Sequence, residues 1–354
     1  MTFEEARAQF PVFERLAYLN AGTNGPLTRA SAEAMIEQTR EDLEGGRSGS
    51  AWIERILELR EEIRAGLAAV IGVAPLQVAL TESTSRGCST VLSGLGLGPE
   101  DEVVMTDQEH FGLTAAVHAT GVRVILAEGT EDAILAAVTP RTRLIATSHV
   151  LWTTGRRLDL LRVREDAGVP VLVDGAQSAG AIAVSAGEFD FYTVSAQKWL
   201  CGPEPSGALY VRDPERVRVT TPSYLSQTSY EPTGAFVAKD GAPRFDAGWL
   251  STPMLLGLRA ALEAHPEWRY TRAAEQAARC RELLAEHVDV VTPPGHSTLV
   301  SFHPAGDPAE LVAALEERGV IVRELPGRNL VRVSCGWWTS DDDLRRLVAG
   351  VTAA

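Results

Sequence analysis

The sequence predicts an α/β protein: a mostly parallel, seven-stranded sheet with helices on both faces, followed by a small α+β unit. Three observations carry this. Short apolar, β-rich runs recur at 78–81, 102–106, 122–127, 144–147, 169–173, 191–194 and 207–211. Helical or turn-rich segments separate most of them, which is the pattern of buried parallel strands joined by crossovers. Beyond residue 250 the rhythm changes to two helices and then β, β, α, β, β, α. The 354 residues suffice for two domains, and 45% hydrophobic with 23% charged residues is ordinary for a globular chain.

Each element follows from local chemistry. Thr2 to Glu5 fits a T-x-x-E capping box, so a short first helix is expected. Tyr18-Leu19-Asn20-Ala21-Gly22-Thr23-Asn24-Gly25-Pro26 reads as a short strand entering a tight loop. Helices are expected at 29–43 and 52–71, split by Gly45-Gly46-Arg47-Ser48-Gly49-Ser50. Residues 220–245 are rich in Pro, Ser, Thr and Gly with little periodicity. A loop of that length is expected to be functional or to pack on a partner subunit. Helices at 253–264 and 270–286 lead into the small unit. Its strands are expected at 288–291, 298–303, 320–324 and 330–334, and its helices at 308–318 and 340–350.

Composition narrows the function. The net charge of −14, from 47 acidic against 33 basic residues, argues against nucleic acid or an anionic membrane as the main partner. Cys88, Cys201, Cys280 and Cys335 form no CxxC pair and no zinc-like spacing with histidine. Free thiols and a cytoplasmic location are expected. The start, Met1-Thr2-Phe3-Glu4-Glu5, is acidic where a signal peptide is basic, and no apolar run is long enough to span a bilayer.

The chemistry gathers in one stretch. Val171-Leu172-Val173 ends in Asp174, and the next β-run leads into Ser195-Ala196-Gln197-Lys198-Trp199-Leu200-Cys201-Gly202-Pro203. Among 33 basic residues only Lys198 and Lys239 are lysines. An arginine cannot form a Schiff base, because its guanidinium stays protonated. An acid at a strand end and a lone amine are the groups a pyridine-aldehyde cofactor needs. Thr81-Glu82-Ser83-Thr84-Ser85-Arg86-Gly87 leaves a strand and opens a helix, which suits a bound anion or an ordinary N-cap. His110 and His149 follow strands, where an imidazole can stack, move a proton or make a polar contact. Arg332 suits a substrate carboxylate or a structural ion pair. Gly94-Leu95-Gly96-Leu97-Gly98-Pro99 has the wrong spacing for a dinucleotide loop, and no G-x-x-x-x-G-K-[ST] occurs. Asp174 lacks a nearby second carboxylate in sequence, so no metal site is expected.

Taken together and in this order, these segments resemble the class V aminotransferases of the PLP fold-type I superfamily. That branch includes cysteine desulfurases, selenocysteine lyases, kynureninase and isopenicillin N epimerase. The resemblance covers nearly the whole chain, from Phe10-Pro11 and Tyr18-Leu19-Asn20, through Thr81–Gly87, Glu109-His110, Asp174–Gln177 and Ser195–Pro203, to Arg332-Val333-Ser334 and Thr339–Leu344. It implies pyridoxal 5'-phosphate as cofactor. By position, Lys198 would carry the cofactor and move protons at Cα, Asp174 would pair with the pyridinium nitrogen, and His110 would lie on the ring face. Gln177 would reach the phenolic oxygen. Thr84, Ser85 and Ser195 would hold the phosphate, with Gln197 also in the cofactor site. Arg332 would bind the substrate α-carboxylate, with Asn20 and Trp152 beside it. Thr252 would reach the phosphate of a partner subunit, in a homodimer with the site near the subunit boundary. Residues 1–16 would pack with the small domain, 17–250 would form the large cofactor-binding domain, and 251–354 the small one.

The departures shape the expected reaction. Gln197 replaces a His usual in this branch, Trp152 or Thr153 replaces an Asn often found near the cofactor, and Gly248-Trp249-Leu250-Ser251-Thr252-Pro253 carries an insertion. Desulfurases bear a persulfide-forming Cys just before the Arg332 strand. Here that segment is Arg323-Glu324-Leu325-Pro326-Gly327-Arg328-Asn329, without a Cys, and Cys335 lies beyond the strand. The expectation is proton loss at Cα of an α-amino acid and β-elimination of sulfur, without an enzyme persulfide. The alternative is epimerisation or transamination of the isopenicillin N epimerase type. A lesser one is a PLP-fold protein that binds without catalysis.

Overall fold

The structure is a computed structural model and describes residues 1–353. Its large sheet has seven strands in the spatial order Val78–Thr81, Gly207–Val211, Phe191–Ser195, Val171–Asp174, Thr142–Ser148, Glu102–Thr106, Arg123–Ala127. Gly207–Val211 is antiparallel to both neighbours, and the other pairings are parallel. Alternate residues feed two separate cores: Val171 and Val173 enter one, Leu172 the other. The helix Ser50–Ile71 buries Leu59, Ile63 and Leu67 in the first core, and the helix Thr84–Gly94 buries Cys88, Val91 and Leu92 in the second. A sheet covered on both faces needs continuously apolar strands, and that is why the strands read so clearly.

A buried ion network locks one side of this domain. Arg60 and Arg64, one turn apart on Ser50–Ile71, both reach Asp246, with Arg60 Nη2 at 3.1 Å from Oδ2 and Arg64 Nη2 at 2.7 Å. Asp246 Oδ1 also accepts the Leu80 N–H at 2.9 Å. All three charged side chains are almost wholly buried.

The small sheet is antiparallel, in the order Asp289–Val290, Leu299–His303, Leu330–Ser334, Arg323–Leu325. The run expected at 320–324 is in fact two strands. Val320–Ile321 pairs in parallel with Ala17–Tyr18, and Arg323–Leu325 turns onto Leu330–Ser334. The capping box at Thr2 is present, and Arg7 pairs with Asp343 at 2.9 Å. The segment 220–245 is more ordered than its composition suggests. It holds a hairpin, Gln227–Tyr230 against Phe236–Ala238, and a 3-10 turn at Ala242–Phe245. Its exposed strands lack the apolar alternation that marks a half-buried sheet. Among the described residues no helix is long and apolar enough to cross a membrane.

Candidate active site

The site forms at the carboxyl edge of the large sheet, where parallel strands leave a crevice. Asp174 ends the central strand, buried, in register with Ser148 on one side and Thr193 on the other. Its Oδ1 accepts the Ala176 N–H at 2.8 Å, and Oδ2 has no protein donor among the described residues. Lys198 lies just past the neighbouring strand, half-buried. The loop at Gly25 presses against it: the Gly25 N–H donates to the Gln197 carbonyl at 2.7 Å, and a Cβ at Gly25 would lie 1.9 Å from the Lys198 carbonyl oxygen. Only glycine allows that approach. Burial lowers the Lys198 amine to about 8; Asp174 opposes the shift, and Arg332 and Arg323 add to it. A lysine so tuned is a competent nucleophile and base near neutral pH.

Beside it, the helix Thr84–Gly94 presents its N-terminus. Ser195 Oγ meets both the Thr84 hydroxyl, at 2.8 Å, and the Thr84 N–H, at 3.3 Å, while Ser85 stays exposed. Gln197 Oε1 is buried without a partner. His110 caps the next helix, Phe111–His118, with Nδ1 accepting the Gly112 N–H at 3.1 Å. The proton of its neutral ring therefore sits on Nε2. Burial lowers the His110 pKa, and Lys198 lowers it further. The ring meets Trp152 edge-on at 5.4 Å.

Arg332 is only 1% exposed. Its Nη1 donates to the Trp152 carbonyl at 3.0 Å, and its Nε has no acceptor. Burial lowers its pKa to about 9, with Arg323 adding. Arg323 was not anticipated. It stands directly opposite Arg332 in the antiparallel register and donates to Thr23 Oγ1 at 2.9 Å; Thr23 in turn donates to Asn20 Oδ1 at 2.8 Å. In sequence it marked only a segment without a Cys, because cross-strand register is invisible there. Gln177 spans the site's floor: its Nε2 donates to the Gly22 carbonyl at 2.8 Å, and its Oε1 accepts the Trp199 indole N–H at 3.1 Å. One amide hydrogen remains for another partner. Thr252 begins the helix Thr252–Glu263 and lines a separate cleft with Gln38, Arg55 and Leu256. All four cysteines are buried.

The class-V aminotransferase family matches residues 18–346. An isopenicillin N epimerase from Streptomyces clavuligerus is 30% identical, covering 99% of this chain and 98% of the relative. A cysteine desulfurase from Klebsiella pneumoniae is 27% identical, covering 99% and 98%. Among solved structures, a cystine C–S lyase in complex with its product cysteine persulfide superposes with a TM-score of 0.89 at 28% identity, covering 97% of this chain and 99% of that one. The chain belongs to the class-V aminotransferase family. It is a pyridoxal-phosphate-dependent enzyme. The class-V site fits that cofactor: a tuned amine for an aldehyde, a buried carboxylate with a free oxygen for a protonated ring nitrogen, and hydroxyls at a helix N-terminus for a phosphate.

Proposed function

We propose that this enzyme cleaves the Cβ–S bond of a β-thio α-amino acid bearing a second acidic group, with sulfur leaving on the product. The observation that carries the reading is the Arg323–Arg332 pair. Like charges directly opposite on a sheet repel. Neither guanidinium has a carboxylate partner among the described residues; their acceptors are Thr23 and Trp152. Such a pair suits a doubly acidic ligand. Arg332, the deeper, takes the α-carboxylate, and Arg323 takes the second acid. The buried cysteines and the Cys-free turn 326–329 support release of sulfur on the product rather than on an enzyme thiol. The likeness to a cystine C–S lyase supports the same substrate class.

In this reading Asp174, His110, Gln177, Thr84, Ser85, Ser195 and Gln197 hold the cofactor, which supplies an electron sink at Cα. Arg332 turns the substrate so that its Cα–H points at the Lys198 amine. Lys198 takes that proton. The Cβ–S bond then breaks with its electrons leaving on sulfur, and hydrolysis yields pyruvate and ammonia. With cystine as substrate, pyruvate, ammonia and a persulfide are the expected products. Recovery of racemised substrate alone would replace this reading by epimerisation, which the 30% identical relative makes the second candidate. Arg332→Ala is expected to lower kcat/KM for cystine about 10²–10³-fold, the loss of a charge-assisted pair in a buried site. Arg323→Ala is expected to raise KM for cystine about tenfold while leaving a monocarboxylic β-thio amino acid within about twofold. Equal losses on both substrates would remove Arg323 from recognition of the second acid.

A homodimer belongs to the same reading. Leu27, Ile36, Leu43, Ile53 and Trp249 are exposed, and Trp249 stacks on Trp52 at 5.9 Å. A second copy covering these side chains would bring Thr252 toward the neighbouring phosphate. Light scattering is expected to give twice the chain mass; a monomer that retains cofactor would refute the dimer.

A further inference from the structure

We propose that Glu109 is a positioning residue, one that holds His110 at the height the reaction needs by clamping two sheet strands where their ladder pairing ends. The proposal rests on the reading that His110 faces the cofactor. Ladder pairing between Glu102–Thr106 and Thr142–Ser148 runs to Val104↔Ile145 and stops there among the described residues, short of the carboxyl edge. Beyond that point the Glu109 carboxylate links the two strands. Its Oε1 accepts the hydroxyls of Thr106 and Thr147, each at 2.6 Å, and its Oε2 accepts the Ser148 N–H at 3.0 Å and the Ser148 hydroxyl at 2.6 Å. All four acceptor positions of the carboxylate are used, and the side chain is buried.

The clamp joins the two halves of the site. His110 is the next residue, and its ring meets Trp152. On the other side Ser148 is in register with Asp174, and the His149 N–H donates to the Asp174 carbonyl at 3.0 Å. Glu109 thus sets the distance between the residue on the ring face and the carboxylate at the ring nitrogen. Deletion of a charged acceptor from a buried site leaves its donors unpaired. Here the geometric consequence falls on His110.

The test uses the holoenzyme and its apo form. Glu109→Gln keeps an oxygen for the Ser148 N–H, and the threonine hydroxyls can turn to accept from its amide. The apo variant should melt within about 5 °C of the parent. Its kcat should fall about 10²-fold with KM within about threefold, as expected for a misplaced group. The visible circular dichroism of the bound cofactor should fall too. In a His110→Ala background the same change should add nothing to either readout. Thr147→Val removes one of the four donors with little change of shape; it should show a smaller loss of the same kind, again absent without His110, and it decides the matter if the Gln variant does not fold. Parent-like kcat and dichroism in both Glu109→Gln and Thr147→Val, or losses that add to those of His110→Ala, overturn the proposal. Full activity and dichroism in His110→Ala alone would instead remove the reading of His110, and the proposal with it.

Discussion

Lys198→Ala is expected to reduce turnover by at least about 10³-fold while the pocket still takes up cofactor, now without a covalent link. The amine is the one group placed both to attach an aldehyde and to take a proton at Cα. Borohydride treatment should label the parent at Lys198 and leave the variant unlabelled. A variant that keeps parent turnover would end the enzymatic reading. The same substitution has a stability consequence with a defined sign. The folded amine sits at about 8, below the ordinary lysine value of 10.5, and burial is the main cause. The unfolded chain therefore binds more protons between those values, so the parent apo chain gains stability as pH rises through that window. Below pH 8 the penalty is fully present. The apo alanine variant should be the more stable of the two at pH 7, and the difference should shrink above pH 8. Thermal melts of both apo chains across pH 7–10 measure this, and parallel curves would contradict it.

Asp246→Ala is expected to be the most destabilising single change away from the site, at about 3–5 kcal/mol. It leaves the guanidiniums of Arg60 and Arg64 buried at 2% and 1% exposure without their shared carboxylate. It also frees the Leu80 N–H at the sheet edge. The melting temperature should fall by roughly 4–7 °C. Arg60→Met with Arg64→Met in the same chain should restore much of the loss, since the damage comes from stranded charge rather than from lost attraction. A variant within about 1 kcal/mol of the parent by denaturant titration would show that water or local rearrangement satisfies those arginines.

How far each feature could be read depends on how local its cause is. The large-sheet strands were legible because burial on both faces demands unbroken apolar runs, and Val78–Thr81, Glu102–Thr106 and Gly207–Val211 fall where the pattern puts them. Asp174 and Lys198 stood out by chemical type: a carboxylate closing an apolar strand, and a lysine in a chain that otherwise writes its cations as arginine. The hairpin within 220–245 was not legible, since its exposed strands carry no alternation. The split of 320–324 escaped notice for a different reason: Val320–Ile321 takes its partner from Ala17–Tyr18, some three hundred residues away.

Sequence alone determined the α/β class, the candidate cofactor chemistry and the absence of a Cys before the Arg332 strand. Those follow from patterns a few residues long and from which side chains exist at all. Only the tertiary structure decided that Arg323 faces Arg332, that Glu109 joins two strands beyond the end of their pairing, and that Gly25 lies against the lysine carbonyl. Register and close approach arise between segments far apart in the chain, where no local preference reports them.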